Sequence, residues 1–139
     1  MLKREYSSVS VGSSEEKMVA ACVSELMNAT TSFHKLHLKV KGVGSFASHK
    51  ALNELYDALP GLADTLAEGY QGASEKILSY SEVPARVLNS VEEAVSYLRD
   101  IYAMVSNLQS KLSYSEIIND LDMIKSQINS TKYKLLFLK

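Results

Sequence analysis

The sequence is poor in the residues that interrupt or cross-link regular structure. It has only six glycines and two prolines in 139 residues, and so few turn-forming residues favour a few long helices over many short strands. Its single cysteine, Cys22, excludes an intrachain disulfide and fits a reducing compartment. No apolar run approaches the ~20 residues that a membrane span requires, and residues 1–12 lack the hydrophobic core of a signal peptide. We therefore expect a cytoplasmic protein that does not enter the membrane.

An excess of charge of either sign is also missing. The formal net charge is −1 and the isoelectric point is near 6.3. The only basic run near the N-terminus is Lys3-Arg4, which Glu5 partly cancels. Because binding to nucleic acid by counterion release needs clustered Lys and Arg, we expect DNA binding to be weak or absent.

What the chain does have is the composition of one globular domain. Hydrophobic residues make up 46% and charged residues 22%, and ~100–150 residues suffice to bury a core. We assign residues 1–12 to an N-terminal tail that can be disordered, and residues 13–139 to the folded domain.

Three candidate helix starts carry a Ser three residues before a Glu, at Ser13, Ser90 and Ser113. In such a capping box the Ser oxygen accepts from the third helical N–H, while the Glu side chain reaches back to the cap residue. With apolar residues at three- and four-residue spacing, the pattern predicts helices over 14–40, 45–70, 90–112 and 113–136.

The connection between the second and third predicted helices is unusually long. Residues 71–89 are weakly patterned, with a short helix expected around Glu75–Leu78, and Pro60 is expected to kink the second helix without ending it. Two helical hairpins joined by one long connection form a ferritin-like four-helix bundle. The predicted fold class is therefore all-α, with a long crossover between helices two and three.

Candidate metal ligands gather around the first hairpin. His37 ends the first helix, and the second helix carries two pairs spaced by four residues, His49/Asn53 and Asp64/Glu68. The step from Asn53 to Asp64 is close to three helical turns, so both pairs share a face but lie ~16 Å apart. Metal–ligand bonds of ~2.0–2.2 Å do not span that distance. The pairs can share an ion only if a second copy of this helix packs antiparallel across a two-fold axis.

The stretch from His37 to His49, continuing to Asp64-Thr-Leu-Ala-Glu68, resembles the signature of the Dps miniferritins. The likeness comprises the interval between the two histidines, Gly42 and Phe46 between them, and the Asp-x-x-x-Glu pair. The resemblance implies a homo-oligomeric cage, a dodecamer in that family, with ferroxidase sites between two-fold-related subunits. It implies that iron is the metal, that hydrogen peroxide oxidises it, and that His37, His49, Asn53, Asp64 and Glu68 hold it.

Three positions depart from that signature. Asn53 stands where the family has an acid, Leu38 where it often has Trp, and Gly69 where it usually has Arg. The alternative function is a non-enzymatic cage or helical interaction protein with a degraded metal site. Two other interpretations of these residues also stay open. Asp64 and Glu68 can form a solvated helix face, and His37 and His49 can be helix-end residues that bond free carbonyls.

Overall fold

The structure, a computed structural model, describes residues 13–139, and the predicted tail at residues 1–12 lies outside them. The described residues form four α-helices and no strand: α1 (Ser14–His37), α2 (Ser45–Ser74), α3 (Val91–Gln109) and α4 (Ser115–Phe137). The all-helical prediction is confirmed in this range. No helix between residues 13 and 139 has the length and apolarity needed to cross a membrane.

The first predicted capping box is confirmed, whereas the other two are not complete. Ser13 Oγ accepts from the N–H of Glu16, and the Glu16 carboxylate accepts from the N–H of Ser13, both at 3.2 Å. At α3, Ser90 caps Glu93 at 3.1 Å, but the Glu93 carboxylate reaches past it to the N–H of Asn89. Half of that box is therefore present.

The box predicted at Ser113 is wrong. The cap residue of α4 is Tyr114, whose side chain makes no capping hydrogen bond, and the helix begins at Ser115. The Tyr114 ring instead meets Tyr70 edge-on, with 6.0 Å between ring centroids. Packing of Tyr114 against α2 thus keeps the chain non-helical through the position that local sequence favours as the first turn.

The hairpin turn between α1 and α2 begins earlier than predicted. Helix α1 ends at His37 and not at residue 40, because the N–H groups of Leu38 and Lys39 bond the carbonyls three residues back and tighten the last turn. Gly42 and Gly44 then take positive φ values of 94° and 83°, which side chains rarely tolerate. These two glycines let the chain reverse within seven residues.

Helix α2 is longer than predicted. It continues through Pro60 to Ser74, so the proline does not end it, and it stops where Glu75 takes a left-handed conformation with φ 59°. The short helix predicted around Glu75–Leu78 is wrong: residues 76–89 contain no helix.

The four helices pack in a ring around one core. Helix α1 lies against α2 and α3, and α4 lies against the same two helices. All four supply the fully buried side chains, the largest of which include Tyr70, Tyr97, Phe33, Leu66 and Leu108. Phe33 and Tyr97 stack across the α1–α3 contact with 5.4 Å between ring centroids. The ring leaves one face of α2 open to solvent, and this face carries all the candidate ligands except His37, which ends α1.

The connection after α2 runs along the length of α1. Side chains of α1 bond its backbone carbonyls in order: Asn28 to Val83 at 3.0 Å and Ser32 to Arg86 at 2.6 Å. Lys39, just beyond the end of α1, bonds the carbonyl of Leu88 at 2.9 Å. The chain therefore returns to the end of the bundle where α1 finishes before α3 begins.

Candidate metal centre at the first hairpin

The turn between α1 and α2 brings His37 and His49 into contact. Their rings stack with 4.1 Å between centroids and 23° between planes. His37 is only 8% exposed, and His49 is half-buried in the first turn of α2. Two residues twelve positions apart in sequence thus form one imidazole pair, because Gly42 and Gly44 reverse the chain between them.

Backbone carbonyls fix the protons of both rings. His37 Nδ1 lies 3.0 Å from the carbonyl oxygen of His34, and His49 Nδ1 lies 2.9 Å from that of His37. Since a carbonyl only accepts, each Nδ1 carries a proton and donates it, and a neutral ring then has a lone pair on Nε2. This is the arrangement of metal-ligating histidines, whose second nitrogen donates to a carbonyl or carboxylate. The two histidines therefore do bond carbonyls at a helix end, and the same bonds leave Nε2 of each ring for a different partner.

Tyr56 is a site residue that the sequence reasoning missed. Its hydroxyl oxygen lies 3.3 Å from His37 Nε2 and 3.1 Å from Asn53 Oδ1. Its ring stacks on His34, with 4.0 Å between centroids and 13° between planes. The signal that could have found it is helical spacing, because Tyr56 lies seven residues after His49 and three after Asn53 on one face of α2.

Asp57 orients the Asn53 side chain. Asn53 Nδ2 donates to Asp57 Oδ2 at 2.7 Å across one turn of α2. Because the amide nitrogen is fixed towards the carboxylate, the amide oxygen faces Tyr56. Asn53 therefore presents a neutral oxygen to the His37–Tyr56 pair where the Dps signature has an acid.

Asp64 and Glu68 stay apart from the histidines within one chain. Both side chains are exposed on α2, and neither takes part in an ion pair among residues 13–139. Gly69, which follows them, lies at a close α2–α4 contact: a Cβ there would lie 3.1 Å from Ile117 Cδ1 and 3.4 Å from Asp120 Oδ2, so a side chain at this position needs a small shift of Ile117.

The five predicted ligands accordingly divide into two sets. His37 and Asn53 contact Tyr56, and His49 stacks on His37, whereas Asp64 and Glu68 lie further along the exposed face of α2. In the part of the chain that is described, no three His, Cys, Asp or Glu side chains form a group that could hold a metal ion. Beside the first set lies an open cleft of about 420 Å³, lined by Phe46, His49, Lys50, Asn53 and Glu54.

The groups with perturbed pKa values lie elsewhere and have structural roles. A hydrogen bond from Lys76 at 2.8 Å lowers the pKa of Glu16, despite the burial of this carboxylate, and the pair joins the start of α1 to the connection after α2. Burial raises the pKa of the Cys22 thiol to about 12. Burial also raises the pKa of Tyr97, whose hydroxyl donates to Glu25. None of these groups faces the His37–His49 pair.

Comparison with known proteins places the chain in a family but gives no activity. No curated protein and no solved structure matches it. One family model matches residues 37–135, beginning at His37 and including all five predicted ligands together with Tyr56. Because the match covers most of the sequence, the chain belongs to that family, described as a family of unknown function (DUF5856).

Proposed function

We propose that the protein is a cytoplasmic miniferritin of the Dps type, which oxidises Fe²⁺ at sites between two-fold-related subunits and stores the ferric product in a hollow cage. Iron is the substrate and hydrogen peroxide the oxidant. Two Fe²⁺ give up one electron each, and H₂O₂ with two protons is reduced to two waters. His37 binds Fe²⁺ together with Asp64 and Glu68 of the second copy, and His49 and Asn53 bind a second ion or a bridging water.

The observation that carries this proposal is that backbone carbonyls hold both imidazole rings through Nδ1. The two distances from Nδ1 to the carbonyl oxygen are 3.0 and 2.9 Å, so that the lone pair of a neutral ring lies on Nε2, which in His37 faces the Tyr56 hydroxyl at 3.3 Å. Nitrogen ligands of this kind combined with carboxylates suit iron that must bind an oxidant and change valence. The two rings stack on each other, and His49 also lines the open cleft beside them.

The spacing of the candidate ligands on α2 suits an antiparallel pair of helices. His49 and Asn53 lie in its N-terminal half, and the exposed Asp64 and Glu68 lie towards its C-terminal end. In a pairing that sets His49 opposite Glu68, Asn53 falls opposite Asp64. Such a two-fold interface brings nitrogen and carboxylate ligands together twice, because each contact is repeated by symmetry.

The helix arrangement supports a ferritin-like subunit. Helices α1 and α2 form one hairpin, and α3 and α4 form another. The connection between them travels along α1, as the Asn28, Ser32 and Lys39 hydrogen bonds record. A bundle with one long connection is the layout of ferritin-like proteins.

The test measures Fe²⁺ oxidation by hydrogen peroxide in wild type and in the double variant Asp64→Ala/Glu68→Ala. The expected result is a rate reduced by at least about tenfold, since two carboxylates that bind the ion are lost, and even changes to residues that only orient metal ligands cost about 10–100-fold. Glu116→Ala/Asp120→Ala is the control, because it removes the same charge at the same spacing from α4. Equal rates in wild type and the α2 variant contradict the proposal, as does a monomeric native mass.

A non-enzymatic cage or helical interaction protein is the second candidate. The observation that favours it is Asn53, whose amide already has partners within the chain, Asp57 at 2.7 Å and Tyr56 at 3.1 Å. Anomalous scattering from crystals soaked in Fe²⁺ separates the two functions. Absence of iron at His37 and His49 favours the non-enzymatic protein.

A further inference from the structure

Three polar side-chain atoms of one chain are linked in series through the Tyr56 hydroxyl, beside His49. The hydroxyl oxygen of Tyr56 is 3.3 Å from His37 Nε2 and 3.1 Å from Asn53 Oδ1. Two ligands bound at ~2.1 Å to one metal ion at right angles are themselves about 3 Å apart. Each neighbouring pair in the series His37–Tyr56–Asn53 therefore has the spacing of adjacent ligands on a single ion.

We propose that His37 Nε2, Tyr56 Oη and Asn53 Oδ1 bind a ferric ion within one chain, with Tyr56 as its anionic ligand. The site deepens the proposed function, because it rests on iron as the metal and adds Tyr56 to the ligands of the ion at His37. It needs no second copy of the chain to form. Asp64 and Glu68 of a second subunit complete the coordination and are not required for the first three ligands to bind.

A count of protons shows why a cation suits this cluster. With a neutral His37, the ring proton sits on Nδ1 towards the carbonyl of His34, so Nε2 only accepts. Asn53 Oδ1 also only accepts, since its amide hydrogens belong to Nδ2, which faces Asp57. Two acceptors thus compete for the single hydroxyl proton of Tyr56. A metal ion satisfies the lone pairs of all three atoms at once.

The chemistry of these donors selects a hard, highly charged ion. Fe³⁺ prefers anionic oxygen, and the phenolate of Tyr56 supplies it. On coordination the O–H bond of Tyr56 breaks, the oxygen keeps the electron pair to form the Fe–O bond, and the proton leaves to solvent. No electron is transferred in this step. The negative charge that the Dps signature draws from an acid at position 53 is provided here by Tyr56.

The three donors are held in place before any ion binds. The Tyr56 ring stacks on His34 at 4.0 Å, and the His37 ring stacks on His49 at 4.1 Å. The Asn53 amide is oriented by Asp57. Binding therefore costs little side-chain ordering, which is the structural requirement for a tight site.

The test uses the visible charge-transfer band that a ferric phenolate gives and that ferric imidazole or carboxylate sites lack. Purified protein is titrated with ferric nitrilotriacetate, and the band and the bound iron are both measured. We expect the band in wild type, its loss in Tyr56→Phe, and ferric binding weakened at least about tenfold in that variant. Tyr133→Phe, an exposed tyrosine on α4, is the matched control and keeps the band.

The variant Asp64→Ala/Glu68→Ala separates this inference from the proposed function. We expect it to keep the band, because the three donors belong to one chain. If the band survives while peroxide oxidation is as fast as in wild type, the intersubunit proposal fails and the Tyr56 site stands. A band retained in Tyr56→Phe, a band lost in Asp64→Ala/Glu68→Ala, or iron binding by wild type without a band overturns the Tyr56 site. Failure of wild type to bind ferric iron overturns both proposals. Circular dichroism confirms that Tyr56→Phe keeps its helices.

Discussion

Replacing Asn53 by Asp introduces the acid of the Dps signature and tests the geometry around Tyr56. The Asn53 amide nitrogen donates to Asp57 at 2.7 Å, so Asn53→Asp replaces a hydrogen bond by two neighbouring carboxylates. Two like charges ~4 Å apart repel by about 1 kcal/mol in water and by up to ~4 kcal/mol at an effective dielectric constant of 20. Because Asp57 is exposed and Asn53 only half-buried, the lower end applies.

Adding the lost hydrogen bond, we expect Asn53→Asp to lower the free energy of unfolding by ~1–2 kcal/mol without metal at neutral pH. A loss of that size corresponds to a fall in Tm of about 3–8 °C for a domain of this length. The loss should vanish on acidification, since protonation of either carboxyl removes the repulsion and restores a donor. Saturating Fe²⁺ should reverse the difference, because the added acid binds the ion and stabilises only the folded state.

The assay is thermal unfolding followed by circular dichroism, with and without Fe²⁺ under anaerobic conditions. The charge-swapped variant Asn53→Asp/Asp57→Asn is the matched control: it keeps one acid and one amide at these positions, and we expect its Tm without metal to lie near that of wild type. An Asn53→Asp protein as stable as wild type at neutral pH refutes the Asn53–Asp57 contact. The orientation that we assign to the Asn53 oxygen fails with it.

Three further predictions concern the bundle. Ser13→Ala should lower the free energy of unfolding by ~1 kcal/mol in urea titrations, because Ser13 caps α1, whereas Ser113→Ala should have little effect, because Ser113 caps no helix; equal losses contradict the assignment of caps. Glu16→Gln should destabilise the protein at pH 7, because the Lys76 hydrogen bond holds the pKa of Glu16 in the folded state below its ordinary value of 4.5. The stabilisation from this pair is present above pH 4.5 and is lost as the pH falls through the lowered pKa. A gap between wild type and Glu16→Gln that does not narrow on acidification rules this out. Cys22 should resist iodoacetamide at pH 8 in the folded protein and react in denaturant, because it is fully buried and its thiol pKa is raised to about 12; rapid alkylation of the folded protein argues against the burial.

Patterns confined to one helix were predictable from the sequence, and contacts between elements were not. Ser13 and Glu16 act on the turn they belong to, and their spacing alone forecast the cap that the structure shows. The spacing at Ser113 is equally good, but Tyr114 packs on Tyr70 from another helix and delays the start of α4. Tertiary packing outweighed local preference there.

The candidate site follows the same division. The approach of His37 to His49 depends on a turn of seven residues with two glycines, so it could be anticipated from the sequence. Tyr56 reads as one more residue of an apolar face, and its contact with His37 depends on how closely α1 and α2 lie together. The sequence spacing also separates Asp64 and Glu68 from the histidines, and whether a second copy brings them together depends on an interface that lies beyond a single chain.

The long connection is held through its main chain, and this fixes where its path is encoded. In the Asn28–Val83, Ser32–Arg86 and Lys39–Leu88 bonds, the donor is a side chain of α1 or of the turn that follows it, and the acceptor is a backbone carbonyl. Every amino acid offers that carbonyl, so an exchange such as that of the half-exposed Val83 keeps its bond as long as the route is kept. Substitution of Asn28 or Ser32 by an apolar residue removes the donor and so breaks the hydrogen bond to the connection. The route is therefore encoded largely in α1 and the turn after it, and within residues 76–89 the sequence matters most at the buried Leu78 and Leu88 and at Lys76, which pairs with Glu16.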